Sequence, residues 1–153
     1  AAKKNKSINI KKGQFLSPYD VEKIVLKIKS TGNKDITITE RGTCFGYRDL
    51  MVDPRSFLIL KKLNLPVIFD VGHSVRKNGY PSSNVKDGGQ KEFGETYARS
   101  AIANYIDGLF VEVHPDPKNA KCDAATQFSF KEFENLIHNI KPLWNLVNLE
   151  NNN

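Results

Sequence analysis

Gly108-Leu-Phe-Val-Glu-Val-His-Pro-Asp-Pro117 reads as a strand that ends in a carboxylate and an imidazole and stops at two prolines. Leu109, Phe110 and Val111 form a short continuous apolar run, the pattern expected of a strand covered on both faces. Glu112 and His114 fall where such a strand should emerge from the core. In α/β proteins, chemistry gathers at the carboxyl ends of strands. The layout recurs in Val67-Ile-Phe-Asp-Val-Gly-His-Ser74, so two strands are expected to bring acids and imidazoles to one rim.

Working outward, β-branched and apolar runs predict strands over residues 8–11, 36–39, 66–70 and 109–113. Helical spacing separates them. Ser17-Pro-Tyr-Asp20 can open a helix whose apolar face is Val21, Ile24, Val25 and Ile28, with Gly32 as its stop. Residues 55–63 suit a second helix, and Phe93, Tyr97, Ala98, Ala101, Ile102 and Tyr105 mark the face of a third. Ser129-Phe-Lys-Glu132 is a capping box for a last helix with the stripe Phe133, Ile137, Ile140 and Trp144. Residues 74–91 carry no periodicity and read as a lid or binding loop. The Asn-rich end, residues 151–153, reads as frayed.

Four successive βα units predict an α/β fold with a parallel sheet and helices outside it. Either a small doubly wound domain or half of a (β/α)8 TIM barrel satisfies that order. A complete barrel needs about 250 residues, more than the 153 present. Neither a Gly-x-Gly-x-x-Gly turn nor a Walker motif follows the first strand, which argues against a nucleotide-binding Rossmann domain.

Composition bounds the function classes. No apolar run approaches the roughly 18 residues of a membrane span, and the Lys-rich start lacks the apolar core of a signal peptide. Cys44 and Cys122 make no disulfide framework and read as reduced thiols of a cytoplasmic protein. The formal net charge is +6, and Lys3, Lys4, Lys6, Lys11 and Lys12 precede the first acid. No aromatics interleave with these lysines, so small phosphorylated anions or solvent are expected to face them, not nucleic acid.

Every predicted strand ends in groups able to do chemistry: Lys11-Lys12-Gly13, Glu40-Arg41-Gly42, Asp70 with His73, and Glu112 with His114, followed by Asp123. A lysine and an arginine at adjacent strand ends can bind a phosphate and a carboxylate together. Any one of these residues alone reads more simply as a solvated loop charge; four strands repeating the pattern favour a site. His73, Glu112 and Asp123 form a mixed nitrogen and oxygen set suited to zinc, iron or manganese. Cys122 is the weaker ligand candidate, because sequence neighbours often point apart. Cys44 lacks an identifiable base and reads as an inert thiol. His114 reads as a supporting rim residue.

Ile8-Asn-Ile-Lys-Lys-Gly-Gln-Phe15, Glu40-Arg-Gly-Thr-Cys-Phe-Gly-Tyr47, Val67-Ile-Phe-Asp-Val-Gly-His-Ser-Val75 and Asp107 to Pro117, with Lys121-Cys-Asp123, occur in an order and spacing that closely resemble the 3-deoxy-D-manno-octulosonate-8-phosphate synthase family. Phe-Gly-Tyr after Glu-Arg-Gly favours it over the related 3-deoxy-D-arabino-heptulosonate-7-phosphate synthases, the alternative reading. The resemblance implies a TIM-barrel transferase of lipopolysaccharide core biosynthesis. Such an enzyme condenses phosphoenolpyruvate with arabinose 5-phosphate, releases phosphate, and is typically a homotetramer. It further implies that Lys11 and Arg41 hold phosphoenolpyruvate. His73, Glu112 and Asp123 would be the ligands of a divalent metal, with His73 and Asp123 also available to move protons. A metal-free class, with asparagine in place of a cysteine ligand on the first strand, is the alternative.

That first strand, its three successors and a Lys-Ala-Asn-Arg sugar-binding segment have no counterpart here. Residues 1–153 are therefore expected to be the C-terminal half of the barrel, strands five to eight with their helices, and to be inactive alone. A non-catalytic half-barrel that binds phosphorylated anions is the reading from a different class. Gly72, Arg76 and Asp87 stand where the family usually has threonine, glutamine and serine, which bears on sugar-phosphate contacts. Asp123-Ala-Ala-Thr-Gln127 resembles metal-dependent members.

Overall fold

A computed structural model describes residues 2–4, 6–47, 49–81 and 83–151; the Asn-rich end at 152–153 lies outside the described residues. Four strands, β1 (Ile8–Lys11), β2 (Ile36–Glu40), β5 (Val67–Asp70) and β6 (Gly108–Phe110), form one sheet in the order β1-β2-β5-β6. All three pairings are parallel. Between β2 and β5 lies an antiparallel hairpin of β3 (Thr43–Gly46) and β4 (Asp49–Met51). The helices are α1 (Val21–Lys29), α2 (Arg55–Lys61), the single turn α3 (Val71–Ser74), α4 (Gly94–Ala103) and α5 (Phe130–Asn151). The predicted α/β architecture with a parallel sheet is observed. No helix among the described residues is long and apolar enough to cross a membrane.

Register separates the two faces of the sheet. Ile10 pairs with Ile38, Ile38 with Val67, and Phe69 with Leu109, so these side chains share one face. That face meets Val21 and Val25 of α1, Phe57 and Leu60 of α2, and Ala98, Ala101 and Ile102 of α4, all buried. Phe57 and Phe69 meet edge to face at 5.6 Å. The other face carries Asn9, Lys11, Thr37, Thr39, Ile68, Asp70 and Phe110. It is knitted by polar contacts; for instance Thr39 Oγ1 donates to Asn9 Oδ1 at 2.8 Å.

This polar face is concave. Lys11 Nζ lies 2.6 Å from Asp70 Oδ2 on β5 and 4.3 Å from the ring centre of Phe110 on β6. On a flat sheet, β1 and β6 would stand three strand spacings apart, roughly 14 Å. Side chains upright on such a sheet would not meet; curling brings them together.

The deciding stretch differs from its expected form. β6 ends at Phe110, and Leu109 and Val111 are half-buried while Phe110 is exposed, so the segment is not covered on both faces. Beyond Phe110 the backbone finds another partner. Phe128 N–H donates to Glu112 O, and His114 N–H donates to Phe128 O, both at 2.9 Å. Residues 112–114 thus clip onto the segment before α5, in a parallel bridge of Val113 with Phe128.

The capping box of α5 forms as predicted, whereas Ser17 caps the turn before α1 and Asp20, the N-cap of α1, makes no side-chain cap bond. Ser17 Oγ accepts from Tyr19 N–H at 3.3 Å, and a tight turn, Pro18–Asp20, leads into α1. Ser129 and Glu132 exchange the two bonds of a capping box. The buried stripe of α5 is Leu136, Ile140 and Val147, whereas Ile137 is exposed. In the long loop, Lys77 N–H donates to Gly88 O and Gln90 N–H to Val75 O, fastening Arg76 opposite Gly89. The loop is therefore a tied excursion, not a structureless strand-to-helix link.

Candidate active site

The concave face and its carboxyl rim bring together most of the residues singled out in sequence. His73, Glu112 and Asp123 each offer one ligand atom, all within 4.8 Å of one another. Three elements deliver them. His73 rides on α3 immediately after β5, Glu112 is held by the clip to Phe128, and Asp123 begins the turn that leads to α5. Asp123 sits at φ 49°, a left-handed conformation that aspartate tolerates better than most residues. Its carbonyl accepts from Thr126 and Gln127 N–H at 2.9 and 3.0 Å, which fixes the turn.

Asp70 is the organising acid that sequence reasoning named at a strand end but did not carry into the site. It is fully buried and contacts His73 Nδ1 at 2.9 Å and Lys11 Nζ at 2.6 Å through Oδ2. Its other oxygen accepts from His73 N–H at 3.0 Å. Burial pushes the Asp70 carboxyl up, but the contacts from His73 and Lys11 together outweigh it and hold the group below its ordinary 3.8. A carboxylate on Nδ1 leaves Nε2 turned inward, 3.8 Å from Asp123 Oδ2. Orientation of a ligating imidazole by a carboxylate behind it is a common arrangement at metal sites. The three donors fit a divalent ion by type, spacing and backing.

Lys11 is on the same face, one-third exposed beside Asp70, and Arg41 follows β2 at the rim. Arg41 Nη1 donates to Gln14 Oε1 at 2.8 Å, a partner from the loop after β1 that strand-end reasoning passed over. Burial is the largest influence on Arg41 and lowers its pKa; Asp70 acts in the opposite direction and Arg76 adds repulsion. A half-buried guanidinium with cationic neighbours stabilises an incoming anion.

Lys12 and Glu40 lie behind this pair. Lys12 Nζ is 3.3 Å from Glu40 Oε1 and donates to Gly42 O and Thr43 Oγ1, both at 3.0 Å. Glu40 Oε1 accepts from the backbone N–H groups of Arg41 and Gly42 at 2.9 and 2.7 Å. That turn needs Gly42 at φ 86°. Strand alternation was the available signal: adjacent Lys11 and Lys12 must point to opposite sides of the sheet.

Cys122 is exposed and stands outside the three-residue donor set. Cys44 is half-buried and its Sγ accepts from Asn78 Nδ2 at 2.9 Å. His114 Nδ1 accepts from Asp116 N–H at 3.0 Å and supports the Pro-rich turn. A Cβ on Gly72 would stand 3.3 Å from Thr126 O, so the small residue lets α3 press against the Asp123 turn. Gly89 is tighter still: a Cβ there would meet Thr126 Cγ2 at 2.6 Å and Ala125 O at 2.7 Å. Gly89→Ala is therefore expected to destabilise the protein by about 1–3 kcal/mol. It should also speed proteolysis within residues 76–90, checked by urea unfolding and limited trypsin digestion.

The chain is 45% identical over 143 residues to a 2-dehydro-3-deoxyphosphooctonate aldolase of Trichlorobacter lovleyi, covering 94% of this chain and 52% of that protein. Proteins of the same name from Geotalea uraniireducens and Geobacter sp. strain M21 match at 46% over 143 residues and 44% over 148 residues. These cover 94% and 97% of this chain, and 52% and 54% of theirs. The chain thus spans about half the length of the curated relatives it matches. The family described as the DAHP synthetase I family matches residues 1–147, the sheet, the rim and nearly all of the last helix. By that match, and by the relatives that agree with it, this chain belongs to the DAHP synthetase I family.

Proposed function

We propose that the chain forms the last four βα units of a (β/α)8 barrel. In that barrel it would carry the rim that condenses phosphoenolpyruvate with arabinose 5-phosphate to 3-deoxy-D-manno-octulosonate 8-phosphate. The observation that carries the reading is the concave polar face, with Lys11 on it and Arg41 at its rim within electrostatic reach of Asp70 and Asp123, beside the His73, Glu112 and Asp123 cluster. A face lined by Asn9, Thr37, Thr39 and Asp70 suits a barrel interior, and β1 and β6 each leave an edge free for further strands. The names of the relatives favour the octulosonate product over the heptulosonate one.

In this reading Lys11 and Arg41 bind the phosphate and carboxylate of phosphoenolpyruvate, and Gln14 holds the guanidinium in place. The methylene carbon of phosphoenolpyruvate attacks the sugar aldehyde. Water adds to the second carbon, and phosphate leaves as its carbon–oxygen bond breaks. Asp123 and His73 stand where they can take a proton from the water or give one to the new hydroxyl. A divalent zinc, iron or manganese ion held by His73, Glu112 and Asp123 would orient the aldehyde or acidify the water. Assembly as a homotetramer in the cytoplasm belongs to the same proposal.

Phosphate release tests it. The chain alone is expected to give none. Mixed with a chain bearing the first four units of a relative, it should release phosphate with arabinose 5-phosphate but not with a four-carbon sugar phosphate. Turnover by the chain alone would refute the half-barrel assignment, and preference for the four-carbon sugar would move the function to heptulosonate synthesis. Phosphoenolpyruvate protection from unfolding without turnover in the mixture would mark a non-catalytic anion-binding half-barrel. Loss of rate on chelation supports the metal; an unchanged rate removes it.

A further inference from the structure

Arg76 Nη1 stands 3.2 Å from Oδ1 of Asp123, one of the three residues of the candidate metal cluster. Asp123 Oδ1 is buried and accepts no aligned hydrogen bond, so the contact is an ion pair only. The juxtaposition is built into the fold. Arg76 bridges Gly89 across the loop, and Gly89 lies so close to Ala125 and Thr126 that no side chain fits between. Those two residues belong to the turn whose carbonyl and amide bonds fix Asp123. The backbone that presents the guanidinium is therefore packed on the backbone that presents the carboxylate.

We propose that Arg76 is a built-in counter-ion of the His73–Glu112–Asp123 cluster, holding Asp123 when no divalent cation is bound and lowering the affinity for one. The inference rests on the reading of these three residues as metal ligands. Two carboxylates and an imidazole already balance the charge of a divalent ion. A guanidinium on Oδ1 of Asp123, whose Oδ2 faces His73 Nε2, adds a competing positive charge to the same carboxylate. Arg76 is 28% exposed, so its head can swing toward solvent when a cation engages the Asp123 carboxylate. Its stem and backbone need not move. The cluster would then exchange one cation for another without leaving a buried carboxylate bare.

Titration of Mn2+ into the full chain, followed by the electron paramagnetic resonance signal of the free ion, measures the affinity without any activity assay. Arg76→Gln keeps length and hydrogen-bonding capacity and removes the charge. It is expected to tighten Mn2+ binding roughly 10- to 100-fold, the scale on which outer contacts to metal ligands act. Arg76→Lys keeps the charge and should stay near the wild-type affinity, while Asp123→Asn added to Arg76→Gln should abolish the gain. Near-ultraviolet circular dichroism confirms that each variant is folded. Equal affinities for the wild type and Arg76→Gln would overturn the counter-ion role while leaving the metal reading standing. A folded Arg76→Gln variant that binds no Mn2+ would overturn the metal reading and this inference with it.

Discussion

Lys12→Met is expected to destabilise the protein by about 3–5 kcal/mol, seen as a lower urea midpoint at unchanged slope. Lys12 and Glu40 are both essentially inaccessible, and their ion pair spans β1 and β2 at the base of the rim. Methionine fills nearly the same volume, so the loss does not come from a cavity. It comes from Glu40, left charged and buried without its cation, and from Gly42 O and Thr43 Oγ1, left without their donor. The pair is nevertheless not a net asset of its own. Burial lowers the Lys12 pKa from 10.5 against the opposing pull of Glu40. The unfolded chain therefore holds the Lys12 proton more tightly, and stability rises with pH from the lowered value up to 10.5. Lys12→Met should lack that rise.

Removing the Glu40 charge should compensate for the loss of Lys12. Glu40→Gln keeps an oxygen for the Arg41 and Gly42 amides but carries no charge. Lys12→Met with Glu40→Gln should recover most of the loss, and a double variant as unstable as Lys12→Met alone would refute the account. The Lys12–Glu40 pair also positions backbone. Its bonds tie the loop after β1 to the loop after β2, and these loops carry Gln14 and Arg41.

Much of the fold was legible because each element has a local signature. β-branched runs marked β1, β2 and β5 to within a residue, and Ser17, Gly32 and the Ser129–Glu132 box marked helix ends by their hydrogen-bonding chemistry. The hairpin of β3 and β4 escaped because it is held by its own antiparallel bonds beside a tight glycine turn, not by an alternating apolar pattern. β6 was read too long for a related reason. Val111 and Val113 look like strand residues, but the backbone at 112–114 bridges to Phe128, a partner that periodicity does not reveal.

The site was legible in its residue types and illegible in its second layer. His73, Glu112, Asp123, Lys11 and Arg41 stood out as polar groups where strands end, and the structure gathers the first three within 4.8 Å. Asp70, Gln14 and Arg76 are tied to the candidate site only by contacts across the sheet and loops. Alternation alone would have separated Lys11 from Lys12, since consecutive residues of an extended segment face opposite ways. The resemblance carried Lys11 forward without saying why its neighbour is also a lysine; the buried pair with Glu40 supplies that reason.

Asp70→Asn should reach both layers at once. Asp70 is fully buried and meets Lys11 Nζ at 2.6 Å and His73 Nδ1 at 2.9 Å. An amide keeps the volume but removes the charge, and one of its two ends must present N–H groups toward donors. The loss of charge-assisted contacts is expected to cost about 1.5–3 kcal/mol, with the smaller share from Lys11, which is 36% exposed and can return to solvent. The imidazole would lose the carboxylate that fixes its ring, so under the proposed metal assignment Mn2+ affinity at His73, Glu112 and Asp123 should fall roughly 10- to 100-fold. Urea unfolding and Mn2+ titration on the same sample separate the effects. A stability loss with unchanged Mn2+ affinity would reduce Asp70 to a packing residue. Weakened Mn2+ binding in a protein as stable as the wild type would show that its carboxylate acts through His73 alone.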